Sequence, residues 1–477
     1  MEYLLASAAV MISLIMFPLL AQAQPQAQPE ARFGFNATQA LQWLPLSSGG
    51  WGGIIIPVTV NGQATYANVD TGSTVSDVAV ISSRLLPAGE GAKDEQRISA
   101  NGYGGISHYP IRRAGSLVIG GITLLNQMVA VTDQPLSLDE RVGVTIGIKM
   151  LMGLTLQIDW ENRRARFLLG GDLPKGADTV TVAIETRTHL PIVDVEICRL
   201  PVKALLDTGA NSDLNLASEQ EKLRECAAPV RSDIRSVGAG GPVISGLVSL
   251  PAVRIGTRSM GPAIASIDPE RGPLSRRSIP ASIGTGLLRR SNFVLDAGNS
   301  ALAFYGADRT ARVIDRPRIG IQYRPDGKAL RITHLMKGSP ASETILKAGD
   351  RICALNGKTI EALAGKYGDI SPPVGQTARI GLCGGPTVSI VARDFLAFPG
   401  APDAAFPAGS PPIPEPAGVG RVTEAFAGCV NGELSGEELA KTCSIVLNAP
   451  GVANYWKEIA RTKRAAALPN TANPGQP

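Results

Sequence analysis

The chain has 477 residues, of which 44% are hydrophobic and 18% charged, and a formal net charge of +5. That balance suits globular domains with real cores and excludes a disordered chain. So small a charge, with no long Lys/Arg run, gives no case for nucleic acid. The length calls for about three or four folded units, and 53 Gly with 35 Pro point to a turn-rich, mainly β architecture with Pro-rich linkers.

In chain order, residues 1–23 read as an export signal: Tyr3 to Leu20 is almost wholly apolar, and Ala21-Gln22-Ala23 is a small-x-small cleavage site. Glu2, with no Lys or Arg near it, departs from the usual n-region. The alternative is an uncleaved anchor, since a run of this length can span a bilayer; the chain meets a membrane in that case alone. Export to the periplasm or the exterior, with six cysteines and no Cys-x-x-Cys pair, favours disulfides over a metal site. Residues 24–44 read as a linker.

A duplication organises residues 45–310. Val69-Asp70-Thr71-Gly72-Ser73 returns as Leu206-Asp207-Thr208-Gly209-Ala210, 137 residues later. The Gly-rich turn Asn101-Gly102-Tyr103-Gly104-Gly105 returns as Gly238-Ala239-Gly240-Gly241. Val118-Ile119-Gly120 matches Arg254-Ile255-Gly256, Ile146-Gly147 matches Ile283-Gly284, and Gln157-Ile158-Asp159 matches Val294-Leu295-Asp296. A repeat of this length is no solenoid unit. It gives two homologous lobes, 45–171 and 172–310. Ile54 to Val60, the turn Asn61-Gly62 and Ala64 to Val69 form a hairpin signal that leads into the first Asp. Pro191 to Leu200 and Val202 to Leu206 repeat it. A short helix is expected after each motif, around Ile81 to Leu86 and Ser218 to Arg224.

Residues 311–397 carry separate landmarks, 398–420 form a Pro-, Ala- and Gly-rich linker, and 421–468 have helical composition. Ser435 and Glu438 make a capping-box pattern there, and a small helical hairpin pinned by a disulfide is expected. Residues 469–477 read as a disordered tail.

Two carboxylates held close together cannot both ionise cheaply, so one keeps a proton. The ionised member then takes a proton from water, and the protonated member donates to the carbonyl under attack. Asp70 and Asp207 are candidates for this pair. Gly72 and Gly209 permit close approach of the backbone, and the Thr71 and Thr208 hydroxyls can bond across to the partner loop. The chemistry needs no metal and no cofactor. Three scattered histidines, with no His-Glu-x-x-His and no Gly-x-Ser-x-Gly, leave zinc-peptidase and α/β-hydrolase chemistry without their motifs. Ser73 can donate a hydroxyl to Asp70 where Ala210 cannot to Asp207, which predicts that Asp70 is the more acidic partner.

These motifs resemble the two active-site loops of the pepsin and retropepsin group of aspartic peptidases; Ala210 after Gly209 is similar to the retroviral form. The likeness is nearest to bacterial retropepsin-like peptidases with an appended PDZ module, and it covers roughly residues 45 to 395. It implies two homologous β-barrel lobes around a cleft, with endopeptidase action on polypeptide. It also implies flaps at Tyr103, Gly104, Gly105, Gly240 and Gly241, with Tyr103 and Tyr109 both candidates for the flap tyrosine. Ile146-Gly147 and Ile283-Gly284 would pack beside the Asp loops. Lys149 and Met150 stand where such families often carry an acidic residue. Arg318-Ile319-Gly320-Ile321, Gly338-Ser339-Pro340-Ala341 and Leu346 to Ile352 resemble a PDZ domain, an α+β fold. The resemblance makes Ile319, Gly320 and Ile321 a loop whose N–H groups take a peptide's terminal carboxylate.

Pairing within domain limits joins Cys198 to Cys226, Cys353 to Cys383 and Cys429 to Cys443, out of fifteen possible schemes. The second functional reading is a non-catalytic peptide-binding clamp that keeps the peptidase fold.

Overall fold

A computed structural model of the chain describes residues 31–36, 42–47, 53–87, 96–102, 105–137, 139–170, 173–220, 223, 232–238, 241–270, 272–306, 317–363, 370, 372–396, 419–430, 434–449, 452 and 454–468. Strands hold 49% of the described residues and helices 16%, so the chain is mainly β there, with barrel-like sheets and a small helical C-terminal part.

The first lobe contains β1 (Arg32–Phe35), β2 (Leu44–Pro45), β3 (Ile55–Val60), β4 (Gln63–Asp70), β5 (Ala79–Ser82) and β6 (Arg97–Gly102). It continues through β7 (Gly105–Ile119), β8 (Ile122–Thr132), β9 (Val142–Gly147), α1 (Ile148–Leu151), β10 (Thr155–Asp159) and β11 (Arg164–Leu168). The hairpin before the first motif forms as its sequence indicates. Asn61 at φ 48° and Gly62 at φ 79° supply the two left-handed residues of a tight turn, and Val60 pairs with Gln63. Strands run in the order β8-β5-β9-β4-β3-β7, and β7 pairs back onto β8, which closes a six-stranded barrel. β1 adds to β8, so the stretch read as a linker joins the lobe.

The segment around Ile81 is a strand rather than a helix. Ala79, Val80 and Ile81 are buried on both faces, between β8 and β9. A β-branched run with apolar neighbours on both sides suits a sheet interior better than an amphipathic helix; a turn follows at Ser83–Leu85. Its counterpart from Ser218 opens with a turn at Ser218–Glu219, and Leu223 is helical; Glu221, Lys222 and Arg224 lie outside the described residues.

The second lobe comprises β12 (Asp178–Ile184), β13 (Pro191–Ile197), β14 (Leu200–Leu206), β15 (Leu214–Leu216), β16 (Ser232–Gly238), β17 (Gly241–Ile255) and β18 (Arg258–Ile267). Next come α2 (Pro273–Arg276), β19 (Ala281–Ile283), α3 (Thr285–Leu288), β20 (Asn292–Asp296) and β21 (Ala301–Tyr305). Its barrel runs β18-β15-β19-β14-β13-β17, closed by β13 on β17. Strand for strand this repeats the first barrel.

The lobes share a sheet ordered β12-β21-β20-β10-β11-β2. At its centre Gln157 pairs with Val294. These two residues are equivalent in the repeat, so a pseudo-twofold axis passes between them. The copying reaches individual hydrogen bonds: Asp159 caps Asn162 through both carboxylate oxygens, and Asp296 caps Asn299 the same way.

The third unit is a small sheet of β22 (Ile321–Asp326), β23 (Ala329–Leu335), β24 (Arg351–Leu355), β25 (Lys358–Thr359), β26 (Thr377–Leu382) and β27 (Thr387–Val391). It has a separate core around Leu330, Ile332, Ile352 and Ile380, and Cys353 and Cys383 are disulfide-bonded. The C-terminal part is three helices rather than a hairpin: α4 (Val419–Val430), α5 (Gly436–Asn448) and α6 (Asn454–Ala467). Cys429 and Cys443 join α4 to α5. Ser435 is the N-cap of α5, but its side chain makes no capping bond. A pair of helices would leave an apolar face uncovered; these three bury theirs on the first lobe, where Phe426 and Trp456 pack against Phe33 and Phe35.

Cys198 is disulfide-bonded, and Cys226 lies outside the described residues. Disulfides fit an extracellular or periplasmic protein. Among the described residues no helix is long and apolar enough to cross a membrane. Residues 1–30, with the stretch read as an export signal, lie outside the described residues, as do 398–418 of the stretch 398–420 read as a linker and residues 469–477; Val419 and Gly420 begin α4 instead.

Candidate active site

Asp70 ends β4 and Asp207 directly follows β14, so a central barrel strand delivers each carboxylate at the same place in its lobe. The strands are held from beside. β4 runs parallel to β9, with Val69 opposite Ile146 and Asp70 opposite Gly147. β14 runs parallel to β19, with Leu206 opposite Ile283. The apolar-Gly elements thus stand beside the Asp loops as the resemblance implies. A methyl on Gly147 would sit 2.6 Å from Ser73 O, and one on Gly284 would collide with Ser212 O.

The two loops grip one another. Thr71 Oγ1 donates to Leu206 O at 2.5 Å and accepts the Thr208 N–H at 3.0 Å. Thr208 Oγ1 donates to Val69 O at 2.7 Å and accepts the Thr71 N–H at 3.0 Å. Both threonines are 0% exposed. The pseudo-twofold axis therefore passes between them, and the expectation that their hydroxyls cross to the partner loop holds in both directions.

The grip brings the carboxylates together. A methyl on Gly72 would lie 2.6 Å from Asp207 Oδ1, and one on Gly209 would collide with Asp70 Cγ. Each glycine hydrogen is thus the space that the opposite carboxylate occupies. Gly72 N–H donates to Asp70 Oδ1 at 2.9 Å, and the Gly209 and Ala210 N–H groups donate to Asp207 Oδ1 at 3.0 and 3.2 Å. Both carboxylates keep some solvent exposure.

Their electrostatics are unequal. Burial first, and then repulsion from Asp207, push Asp70 well above the usual carboxylate range. Burial also raises Asp207, but a hydrogen bond from Asp70, the N–H groups of Gly209 and Ala210, and the guanidinium of Arg277 pull it back. These contacts favour the shared proton on Asp70 and the charge on Asp207. That direction runs against the expectation that Ser73 makes Asp70 the more acidic partner. Ser73 acts on Asp70 through its backbone N–H, a contact any residue there could make. Arg277, just past α2, adds the smallest of the contributions that lower Asp207 and has no counterpart acting on Asp70; no motif in the sequence marks it.

Of the flap positions, Gly105 and Gly241 stand at the start of the second strands of two matching hairpins. Gly102 pairs with Gly105 and Gly238 with Gly241. Gly105 at φ 133° and Gly241 at φ 110° open the return strands. Tyr103, Gly104 and Gly240 lie outside the described residues. Tyr109 is buried at the base of the first hairpin, against Val80 and Ala130. Lys149 forms an ion pair at 2.8 Å with Asp77, which follows the first motif.

In the third unit, the carbonyls of Arg318, Ile319 and Gly320 accept the N–H groups of Arg393, Ala341 and Met336. In a trans peptide N–H and C=O point oppositely, so the N–H groups of Ile319, Gly320 and Ile321 face away from those partners. Gly320 has φ 75° and packs on Ser339. β22 is the edge strand of its sheet.

Among the described residues no cluster of His, Cys, Asp and Glu could hold a metal ion. Comparison with protein-family models finds none that matches the chain, and a search of curated proteins finds no match.

Proposed function

We propose that the chain is an aspartic endopeptidase of the pepsin and retropepsin type, with Asp70 and Asp207 as its catalytic pair. The observation that carries this reading is the reciprocal Thr71–Thr208 grip across the pseudo-twofold axis, which sets one carboxylate against the glycine of the other loop. A turn motif that merely caps itself has no need of a buried partner from a second lobe.

In this mechanism Asp207, ionised and favoured by Arg277, takes a proton from a water between the carboxylates. The water oxygen attacks the scissile carbonyl carbon. Asp70, protonated, donates to the carbonyl oxygen as the tetrahedral species forms. Collapse of that species breaks the C–N bond: a hydroxyl of the tetrahedral carbon returns its proton to Asp70 as the carbonyl re-forms, and the amine leaves with the proton held by Asp207. Asp70 ends the cycle protonated again.

The substrate is an extended polypeptide, covered by the two hairpins as flaps. The third unit, read as a PDZ-like module, docks peptide C-termini at Ile319, Gly320 and Ile321. A substrate tethered there presents its upstream segment to the cleft at high effective concentration. Export to an oxidising compartment fits the disulfides.

The test is digestion of a peptide library by the wild type, Asp70→Asn and Asp207→Asn. Each variant should lose hydrolysis while keeping its fold, since each removes one member of the shared-proton pair. Near-full activity in either variant sinks the mechanism. Binding without cleavage by the wild type points instead to a non-catalytic clamp.

A further inference from the structure

The two hairpins match in register but differ in what fills their bases. In the first, Ile98 pairs with Tyr109, and these two, with Ile111, pack onto Val80 and Ala130 of the same lobe. Counted from the glycine pairs, the second hairpin places Ile234, Ser245 and Leu247 at those positions. Ser245 is 2% exposed, and its hydroxyl has no hydrogen-bond partner among the described residues. The second lobe thus has a small residue where the first has an aromatic ring.

The module completes that base. Met336, Phe395 and Leu396 pack with Leu247, Ile234 and Ile264. Polar contacts join the same surfaces. The Gln322 side chain accepts the Arg235 N–H at 2.7 Å and donates to the Arg235 carbonyl at 3.0 Å. It offers β16 one acceptor and one donor, as a neighbouring strand would. Asp233 Oδ1 accepts the Lys337 N–H at 2.8 Å and bonds His334 Nε2 at 2.8 Å. Arg235 and Asp233 lie on the outer strand of the second hairpin.

We propose that the module is a brace on the second flap, so that the two flaps are mechanically unequal. The first rests on a base built wholly within its lobe and opens independently. The second rests on side chains of the module and moves with it. The consequence for catalysis, which rests on the peptidase reading, is that substrate enters past the first flap while the second serves as the fixed wall. The brace itself does not depend on that reading.

Hydrogen exchange of the full chain, followed by mass spectrometry, tests it without turnover. In Gln322→Ala, exchange of residues 232–247 should accelerate roughly tenfold, as expected for the loss of two hydrogen bonds. Residues 97–111, and β24, β26 and β27 of the module, should keep wild-type rates. Met336→Ala should accelerate the same segment. If Met336→Ala loosens the module itself, Gln322→Ala decides alone, because that side chain is part-exposed and outside the module core. Unchanged exchange of 232–247 in Gln322→Ala, with the module intact, overturns the brace. A chain that cleaves no peptide but shows the expected exchange refutes the peptidase reading and leaves the brace standing.

Discussion

Thr208→Val is the sharpest test of the grip, because valine keeps the shape of threonine and removes its hydroxyl. Thr208 Oγ1 serves two backbone groups, the Val69 carbonyl and the Thr71 N–H. Both bonds are buried, so water does not replace them. An unsatisfied buried backbone group costs about 1–3 kcal/mol, so two cost about 2–6 kcal/mol. Thr208→Ser keeps the hydroxyl and deletes one methyl group, worth about 1 kcal/mol. Equilibrium urea unfolding of the two variants, followed by circular dichroism, separates them: the valine variant should be the weaker by several-fold in free-energy loss. Thr71→Val should match it, because it orphans the Leu206 carbonyl and the Thr208 N–H. If valine and serine at position 208 cost the same, the hydroxyl does not join the loops, and the argument that the grip sets the dyad fails with it.

The dyad gives two further outcomes. A carboxyl raised by folding binds its proton more tightly in the folded state, so its stabilising contribution is complete below the ordinary carboxylate range. That contribution is lost as pH rises through the folded pKa of Asp70. Asp70→Asn should therefore be more stable than wild type at neutral pH, and should flatten a slope of up to about 1.4 kcal/mol per pH unit; melting temperatures measured across pH check this, and an unaltered slope counts against a protonated Asp70. Arg277 lowers the Asp207 pKa, so Arg277→Leu should move the acid limb of the activity profile to higher pH, whereas Ser73→Ala, which keeps the backbone N–H, should leave it in place. A profile that moves with Ser73 and not with Arg277 reverses the assignment.

The duplication is legible in sequence because its landmarks are residues that backbone geometry demands. Asn61-Gly62 makes a turn, Gly72 and Gly209 admit a carboxylate, and Gly147 and Gly284 admit a carbonyl. Their spacing survives because the strands between them must keep register. The strand at Ala79–Ser82 passes for a helix because a short apolar run carries no period that tells the two apart; burial on both faces decides, and that depends on β8 and β9 from far along the chain. The dyad asymmetry is hidden for a related reason. Ser73 stands next to the motif, but Arg277 acts from 70 residues beyond Asp207, and a local reading weighs neighbours in sequence over neighbours in space. Composition shows that the C-terminal segment is helical, but not where its helices dock, since an amphipathic face does not name its partner.

The departures from symmetry fall where a segment beyond the repeat meets a lobe. Gly153 of the first lobe is equivalent to Arg290 of the second. At Gly153 the Trp456 indole packs against the backbone and donates to the carbonyl, so α6 plugs that site. In the second lobe Arg290, 0% exposed, fills its site internally, paired with Asp213 at 2.7 Å and donating to the Met260 and Pro262 carbonyls. The hairpin bases divide the other way. Tyr109 fills the first from within, and Ser245 leaves the second to Met336 and Leu396 of the third unit. Each lobe is thus closed once by its own side chain and once by an appended segment, at opposite sites. Neither lobe closes both sites with its own side chains, so the appended segments are structural parts of the lobes they touch. A duplicated frame that delegates its plugs in this way is free to keep the symmetric Thr71–Thr208 grip unchanged, while the packing of its hairpin bases diverges between its halves.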